Sequence, residues 1–303
     1  MFNNTKKKFK SIIKIIWIGI IIIFLLVFLI RNYKTLIESL VLLDYDSFFI
    51  SLILIIASRL LLSVNMLIAT RTAGFNLTFS NSYSIYFRSQ IAKYIPGSIW
   101  QYFGRYFLLN DMGASKLEIR DSIIIEHFWI VCSSILFGSF FLLISKPSFI
   151  LQYLDFNNNC WYLLLPASIF IVSIIFLIIT WKKSDFLIKK LLPPIFIIFN
   201  LLFIWLTMGF SLWFILFKFQ VDSISIFFTI GAYSIAWVLG FLVPFVPAGL
   251  GVRDGFLVFA FYQYIPLNSI ILLIAIHRII YFLAEVLLVL PCLFSNRKKT
   301  LIE

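Results

Sequence analysis

The chain has 303 residues, of which 62% are hydrophobic and 13% charged, and its mean hydropathy is +1.04. Soluble domains have about half apolar and about a quarter charged residues, so this composition excludes a soluble enzyme, a disordered chain and a collagen-like chain. The three cysteines have no C-x-x-C spacing, which argues against a disulfide scaffold or a metal site. The sequence therefore predicts an integral membrane protein.

The net charge of +12 is concentrated at the ends of apolar segments. The basic clusters are Lys6, Lys7, Lys8, Lys10 and Lys14 before the first segment, Lys182, Lys183, Lys189 and Lys190 in one loop, and Arg297, Lys298 and Lys299 after the last segment. This is positive-inside marking and not a nucleic-acid-binding face. It predicts a basic cytoplasmic amino terminus (residues 1–13), one membrane bundle (14–291) and a basic tail (292–303) in the plasma membrane of a bacterium or archaeon.

Seven apolar segments are long enough to be read as membrane spans. In chain order they are Lys14–Ile30, Phe48–Thr70, Ser122–Ile144, Trp161–Trp181, Ile195–Phe217, Ile224–Val243 and Leu267–Leu290. The first has a basic flank like that of a signal peptide, but Arg31, Asn32 and Tyr33 follow it where cleavage needs small residues. We expect it to remain as a helix, and the fold class to be all-α with seven or eight spans.

Two further segments are too polar to face lipid and too apolar for exposed loops. Tyr83–Leu109 carries Arg88, Lys93 and Arg105 around Pro96 and Gly97, and we predict a re-entrant or broken helix that does not cross. Leu239–Ile265 contains Pro244, Pro247, Gly249, Gly251, Arg253, Asp254 and Gly255. If this second segment crosses, the basic tail lies inside and there are eight spans, which the charge rule favours; if it re-enters, the tail lies outside.

The two segments occupy similar places in the two halves, and each precedes a helix with one buried-looking glutamate, Glu126 or Glu285. This suggests a degenerate internal repeat. Paired Pro/Gly-interrupted segments are a sequence signature of transporter binding sites. The alternative is that two unrelated Pro-Gly loops resemble each other by chance.

The first broken segment has the features of an anion site. A helix that breaks at Pro96 and Gly97 and restarts near Ser98 directs free N–H groups at the break, where Lys93 and Arg105 add positive charge. The alternative is an interfacial hairpin whose cations meet lipid phosphates nonspecifically and whose aromatic residues form part of a membrane-interface belt.

Charges within apolar or broken segments support the same interpretation. The cations are Arg59, Arg88, Lys93, Arg105, Arg253 and Arg278, and the anions are Glu126, Asp254 and Glu285. Each costs about 2.5 to 3.5 kcal/mol when unpaired at a helix centre. Six cations against three anions leave an excess of three positive charges, which an anionic ligand such as phosphate can neutralise. If Arg88 and Arg105 instead snorkel to the interface, the excess falls to one.

Several of these residues also form an ordered set of motifs. Tyr94-Ile-Pro96-Gly97 precedes Gly104-Arg105 and Glu126, and Pro247-Ala-Gly249-Leu-Gly251-Val-Arg253-Asp254 precedes Arg278. The set resembles the transmembrane domain of the lysylphosphatidylglycerol synthase/flippase family, over roughly residues 10 to 292. The resemblance implies a polytopic helical domain that translocates or handles lipids with polar head groups. Two features depart from the family: Asp254 stands where glutamate is usual, and these 303 residues hold no counterpart of the soluble aminoacyl-transferring domain, so lipid aminoacylation is not expected.

We therefore expect a flippase-like protein, not an enzyme, that uses no cofactor and no metal. Its expected partners are an anionic phospholipid or a polyprenyl-phosphate-linked lipid, with envelope-synthesis enzymes as further candidates. The candidate head-group residues are Lys93, Pro96, Gly97, Arg105, Glu126, Gly249, Gly251, Arg253, Asp254 and Arg278.

Two other functions stay open. A membrane glycosyltransferase that uses a polyprenyl-linked sugar could bind a divalent cation through Asp44 and Asp46, although Asp46 and Ser47 also look like a helix N-cap. A non-catalytic accessory subunit of an envelope-synthesis complex is the third possibility.

Overall fold

The computed structural model describes residues 45–94, 99–145, 190–217, 224–243, 249 and 251–294. Two predicted spans, Lys14–Ile30 and Trp161–Trp181, lie outside these residues, as do the amino terminus, residues 295–303 of the basic tail, Pro96, Gly97, Pro244 and Pro247. Within the described residues all regular structure is helical and no strand occurs, which confirms the all-α fold class.

Eight α-helices and one 3₁₀ turn make up the described part of the chain. They are α1 (Tyr45–Ala73), α2 (Phe79–Gln90), the 3₁₀ turn (Ile91–Tyr94), α3 (Trp100–Asn110), α4 (Lys116–Ser145), α5 (Ile195–Phe217), α6 (Ile226–Phe241), α7 (Val252–Phe261) and α8 (Leu267–Phe294).

Four of these helices, α1, α4, α5 and α8, are long and apolar enough to cross a membrane. They contain the predicted spans that begin at Phe48, Ser122, Ile195 and Leu267, and they support a membrane protein. The predicted span Ile224–Val243 is not confirmed, because α6 has only 16 residues. Such a helix is about 24 Å long, whereas the hydrocarbon core is about 30 Å thick. The total of seven or eight spans is not confirmed.

Local signals in the sequence fix the helix boundaries. Helix α1 has Asp46 in its first turn and Arg71 in its last turn, where each charge complements the helix dipole. Gly74 follows with φ of +114°, a conformation that glycine adopts at helix ends. Helix α4 starts with a capping box, in which the Ser115 N–H donates to Glu118 Oε2 (2.7 Å) and the Glu118 N–H donates to Ser115 Oγ (3.3 Å).

One end of the molecule, which we call the basic end, gathers cations from three parts of the chain. Lys190 Nζ donates to the carbonyl of Ala73 at the end of α1 (3.2 Å) and lies 4.0 Å from the carboxylate of Asp121. Arg120 pairs with the same carboxylate at 2.7 Å. Because Arg71 lies in the last turn of α1, it shares this end with Lys190, as positive-inside marking predicts.

Helices α2 and α3 form the first hairpin, with the 3₁₀ turn Ile91–Tyr94 between them. The legs pack closely, since a Cβ added at Gly104 would lie 3.7 Å from the Ser89 Cα. The hairpin starts and finishes at the basic end. Helix α2 follows α1 directly, and α4, which follows α3, begins beside the end of α1, since a Cβ added at Gly74 would lie 3.6 Å from Glu118 Oε1. The helical segment is therefore interrupted between Gln90 and Trp100, and it returns to the end from which it started.

Helices α6 and α7 form the second hairpin, which starts from the opposite end. Trp213 Nε1 near the end of α5 donates to the Ile224 carbonyl just before α6 (3.3 Å). Near this end the Phe228 ring of α6 lies 5.3 Å from the Phe261 ring of α7. At the tip, a Cβ on Gly249 would lie 3.2 Å from the Cα of Gly240. The two legs are therefore antiparallel.

Helix α8 then runs from the opposite end to the basic end. Near its carboxyl end, the Leu288 carbonyl accepts from the Tyr83 hydroxyl of α2 (2.7 Å), and the Cys292 carbonyl accepts from Arg88. This corrects the expectation that re-entry of Leu239–Ile265 would place the carboxyl end away from Arg71. That expectation counted Ile224–Val243 as a complete span, whereas α6 is only one leg of a hairpin.

Candidate anion-binding cavity

A cavity of about 460 Å³ lies between the tips of the two hairpins. The first hairpin contributes Lys93 from its 3₁₀ turn, and the second contributes Gly240, Gly249 and Arg253. The spanning helices complete the walls. The cavity thus lies where the two broken segments meet.

A single carboxylate, that of Glu285 on α8, serves two cations beside this cavity. It pairs with Lys93 Nζ through Oε1, and Arg59 Nη2 of α1 lies 3.0 Å from the same oxygen. The Tyr94 hydroxyl donates to Oε2 at 2.8 Å. All three charged side chains are less than 10% exposed. One negative charge is therefore shared by two buried positive charges, and the group keeps a net positive charge.

The Tyr281 ring gathers three cations. The distances from its centroid are 4.0 Å to the Arg59 guanidinium, 4.8 Å to the Lys93 ammonium and 5.3 Å to the Arg253 guanidinium. The ring quadrupole attracts each cation, which lowers the cost of holding three of them together. Tyr281 and Glu285 are four residues apart on α8 and so share one face of the helix. We call Arg59, Lys93, Arg253, Tyr281 and Glu285 the cationic cluster.

Arg253 has no acidic partner within the residues that the structure describes. Its side chain is buried, with 5% exposure, and Nη2 donates to the Tyr233 hydroxyl at 2.5 Å. Its Nε has no hydrogen-bond partner. A buried guanidinium with an unused donor is costly unless a ligand completes its shell. Arg253 is therefore the strongest candidate for contact with an anion.

The carboxylate of the neighbouring Asp254 is bound by groups other than Arg253. Its Oδ1 accepts from Arg278 Nε at 2.8 Å, and its Oδ2 accepts from the Gly251 N–H at 3.3 Å. Gly251 has φ of +89°, which turns the chain into the start of α7. Asp254 thus caps α7 and ties it to α8, so it supports Arg253 instead of pairing with it.

A second buried ion pair, between Arg105 of α3 and Glu126 of α4, lies beside the cationic cluster. Tyr86 connects the two groups: its hydroxyl accepts from Arg59 Nη1 at 3.5 Å, and its ring centroid is 5.7 Å from the Arg105 guanidinium. Arg105 is only 2% exposed, so the alternative in which it snorkels to the surface is wrong. Arg88 is exposed and lies with α8, away from the cavity lining.

These positions revise the predicted charge excess from three to two. With Arg88 at the surface, five cations remain, namely Arg59, Lys93, Arg105, Arg253 and Arg278, against Glu126, Asp254 and Glu285. Arg105 and Arg278 each have a carboxylate of their own. Both surplus charges therefore lie in the cationic cluster.

Another part of the cavity lining is aromatic and polar. The Tyr102 hydroxyl lies 3.1 Å from His127 Nε2, and the His127 ring stacks on Phe241 with centroids 5.6 Å apart. Phe241 in turn lies parallel to Trp237 at 5.3 Å. The amides of Gln90 and Gln101 line the same cavity. We call these six residues the aromatic wall.

The predicted site residues fall into three groups. Lys93, Glu126, Gly249 and Arg253 line the cavity. Arg105, Gly251, Asp254 and Arg278 hold lining residues or helix starts in place. Pro96 and Gly97 lie outside the described residues. Sequence reasoning named Arg59 and Glu285 as intramembrane charges but did not include them in the site, and it missed Tyr86, Tyr281, Trp237 and Phe241.

No group of three metal-binding side chains occurs in the part of the chain that the structure describes. Each histidine has a hydrogen-bonding role within the protein. His127 contacts Tyr102 and the Ile123 carbonyl, and His277 Nε2 lies 2.9 Å from Ser211 Oγ.

Scanned against protein-family models and searched against curated proteins, the chain matches none of them.

Proposed function

We propose that this protein binds the phosphate-bearing head group of a lipid in the cavity and moves that lipid between the two leaflets of the plasma membrane. The observation that carries the proposal is the surplus of two buried positive charges in the cationic cluster, next to open space. An amino terminus in the cytoplasm is part of the same proposal.

Phosphate is the anion that suits these donors best. Two guanidinium groups and one ammonium group reach the same Tyr281 ring, and guanidinium forks bind phosphate oxygens in pairs. A phosphodiester has one negative charge, so it offsets half of the surplus. Binding would also give Arg253 Nε an acceptor.

The architecture supports a lipid as the molecule that carries the phosphate. Two hairpins that start from opposite ends and meet at a binding site are a recurring design of transporters. Ile99 and Leu242 line the cavity and are also 48% and 64% exposed, so an apolar rim leads outward from it. Such a rim suits an acyl or prenyl chain that stays in the membrane. The resemblance to the lysylphosphatidylglycerol synthase/flippase family points the same way.

The glycosyltransferase alternative gains no specific observation. Asp44 lies outside the described residues. Asp46 is exposed in the first turn of α1, where its negative charge interacts favourably with the helix dipole. Asp46 is not among the residues that line the cavity.

The proposal is tested in liposomes that contain fluorescent head-group-labelled lipids, with dithionite quenching to report the leaflet of the label. The wild type should accelerate exchange of anionic phospholipids, and Arg253→Gln should slow that exchange about tenfold or more, since it removes a charged donor worth about 1.5 to 3 kcal/mol.

Arg120→Gln is the matched control, because its side chain is 57% exposed at the basic end. It should exchange lipid at the wild-type rate. Equal rates for the wild type and Arg253→Gln, with both proteins folded, would remove the central residue of the proposal.

A further inference from the structure

The cavity has two walls of different chemistry, and a phosphate uses only one of them. The cationic cluster supplies the charged donors, whereas the aromatic wall supplies aromatic ring surface, the Tyr102 hydroxyl and amide groups. A cavity of about 460 Å³ falls within the usual range for small-molecule sites, about 300 to 1,000 Å³, and is larger than a phosphate alone requires. The head group should therefore carry a second chemical part.

The aromatic wall has the composition that binds a polyhydroxylated ring. The C–H faces of a sugar pack on aromatic rings, and its hydroxyl groups both donate and accept hydrogen bonds. Phe241 is stacked between His127 and Trp237, so Trp237 offers the ring surface, and Gln90 and Gln101 offer amides that both donate and accept. An acyl chain has no groups that could form hydrogen bonds with the amides.

A cationic second part fits this wall less well. An ammonium group would need an uncompensated negative charge, and the carboxylate that lines this side is Glu126, which Arg105 already neutralises. The cationic cluster nearby would also repel it. The wall therefore favours a neutral group.

We propose that the cavity takes a glycosyl phosphate: the phosphate binds at Arg59, Lys93 and Arg253, and the sugar ring packs against Trp237, which Phe241 holds in place by stacking. The lipid chain leaves past Ile99 and Leu242. This inference rests on the proposed function and names its substrate class, a lipid whose phosphate is esterified to a sugar.

The test uses calorimetric titration of the purified full chain in detergent with glucose 1-phosphate, glycerol 3-phosphate and phosphocholine. The wild type should bind glucose 1-phosphate about tenfold more tightly than glycerol 3-phosphate, because packing of the sugar on the ring and hydrogen bonds to its hydroxyl groups both add to the affinity. Trp237→Leu should abolish this preference and leave the affinity for glycerol 3-phosphate within about twofold.

Two further variants show whether a change in the sugar preference comes from the cavity or from a general loss of packing. Trp237 also contacts Trp205 in the core, so Gln101→Leu, at a half-buried position, provides a second test of the sugar preference. Trp213→Leu is the matched control, because the Trp213 indole donates to the Ile224 carbonyl away from the cavity. It should retain the preference.

The outcomes separate the two proposals. Equal affinity of the wild type for glucose 1-phosphate and glycerol 3-phosphate, or tightest binding of phosphocholine, would overturn the sugar site and leave the phosphate site intact. The same conclusion follows if Trp237→Leu and Gln101→Leu both keep the preference. If Arg253→Gln binds both phosphate esters as the wild type does, or if no probe binds, the proposed function fails as well.

Discussion

The carboxylate of Glu285 is the residue on which the cationic cluster depends. It is the acidic partner of both Arg59 and Lys93, and the Tyr94 hydroxyl fixes its second oxygen. Removal of one partner from a buried ion pair usually costs about 3 to 5 kcal/mol, because the other charge is left without compensation. Here one substitution would leave two such charges.

We therefore expect Glu285→Gln to lower the melting temperature of the protein in detergent, and we expect inorganic phosphate to restore part of the loss. An anion bound only by the folded state stabilises it by mass action. The measurement is the melting temperature with and without phosphate. Glu118→Gln is the control: Glu118 caps α4 at the exposed basic end, so phosphate should affect this variant as it affects the wild type. An equal phosphate effect on all three proteins would contradict the expectation.

Asp254 and Arg278 form a half-buried pair that we expect to act as a unit. Single alanine substitutions should each loosen the start of α7, and the double substitution should cost less than the sum, by roughly 0.5 to 1 kcal/mol after allowance for solvent screening. Melting temperatures of the four proteins, compared as a double-mutant cycle, measure this coupling. Additive effects would show that the pair contributes no coupling energy to the fold.

The sequence predicts the buried charges better than it predicts their partners. Arg59, Glu126 and Glu285 stand out because charge within an apolar helix is expensive. Their neighbours could not be predicted, since periodicity gives the face of a helix but not which helix lies opposite. Tyr281 is an example: its spacing from Glu285 places both on one face, but aromatic residues are too common in this chain for the ring to attract notice.

Helices α4, α5 and α6 pack through glycines that allow their backbones to approach closely. A Cβ at Gly209 of α5 would lie 2.5 Å from the Ile230 Cα of α6, and one at Gly231 of α6 would lie 2.9 Å from the Gly138 carbonyl of α4. Small residues at such contacts are typical of membrane helices. This packing holds the second hairpin against the spanning helices.

Gly209→Ala should accordingly destabilise the protein by about 1 to 3 kcal/mol, because the added methyl meets backbone atoms that cannot rotate away. Gly255→Ala is the matched control, since nothing lies within 4 Å of its added Cβ and alanine favours the helix. The expected result is a lower melting temperature for the first variant and an equal or higher one for the second. Equal melting temperatures would mean that α5 and α6 can separate without cost.

The sequence predicts that both segments are helical, but it does not predict that one of them is too short to span the membrane. Ile195–Phe217 matches α5 residue for residue, because both of its ends coincide with the ends of the apolar run. The run Ile224–Val243 is equally apolar, yet α6 is the leg of a hairpin. Hydropathy measures how apolar a segment is, and it does not show whether the chain crosses to the other end of the molecule or turns back as a hairpin.

At the scale of the whole molecule, the two hairpins have an inverted arrangement. The first starts and finishes at the basic end, and the second starts and finishes at the opposite end. This is the symmetry expected of an inverted repeat. Sequence comparison of the halves could not reveal it, because the matching positions share hairpin shape and not residue identity.

This arrangement predicts which side of the membrane each end occupies. In a variant without native cysteines, Arg120→Cys and Gln263→Cys should react with a membrane-impermeant maleimide from opposite sides of sealed vesicles. Both positions are exposed, one at the basic end and one after α7. Positive-inside marking predicts that Arg120 faces the cytoplasm. Reaction of both cysteines from the same side would contradict the inverted arrangement.

Because Glu285 is already paired with Lys93 and Arg59, the proposed site contains its own competitor. An arriving phosphate would share these cations with the carboxylate, whose pairing with them weakens while the phosphate is bound and recovers as the phosphate leaves. The recovered ion pairs therefore offset part of the binding free energy of the phosphate, which limits its affinity and shortens its residence time. A carrier gains from this compromise, since a lipid held too tightly would never reach the other leaflet.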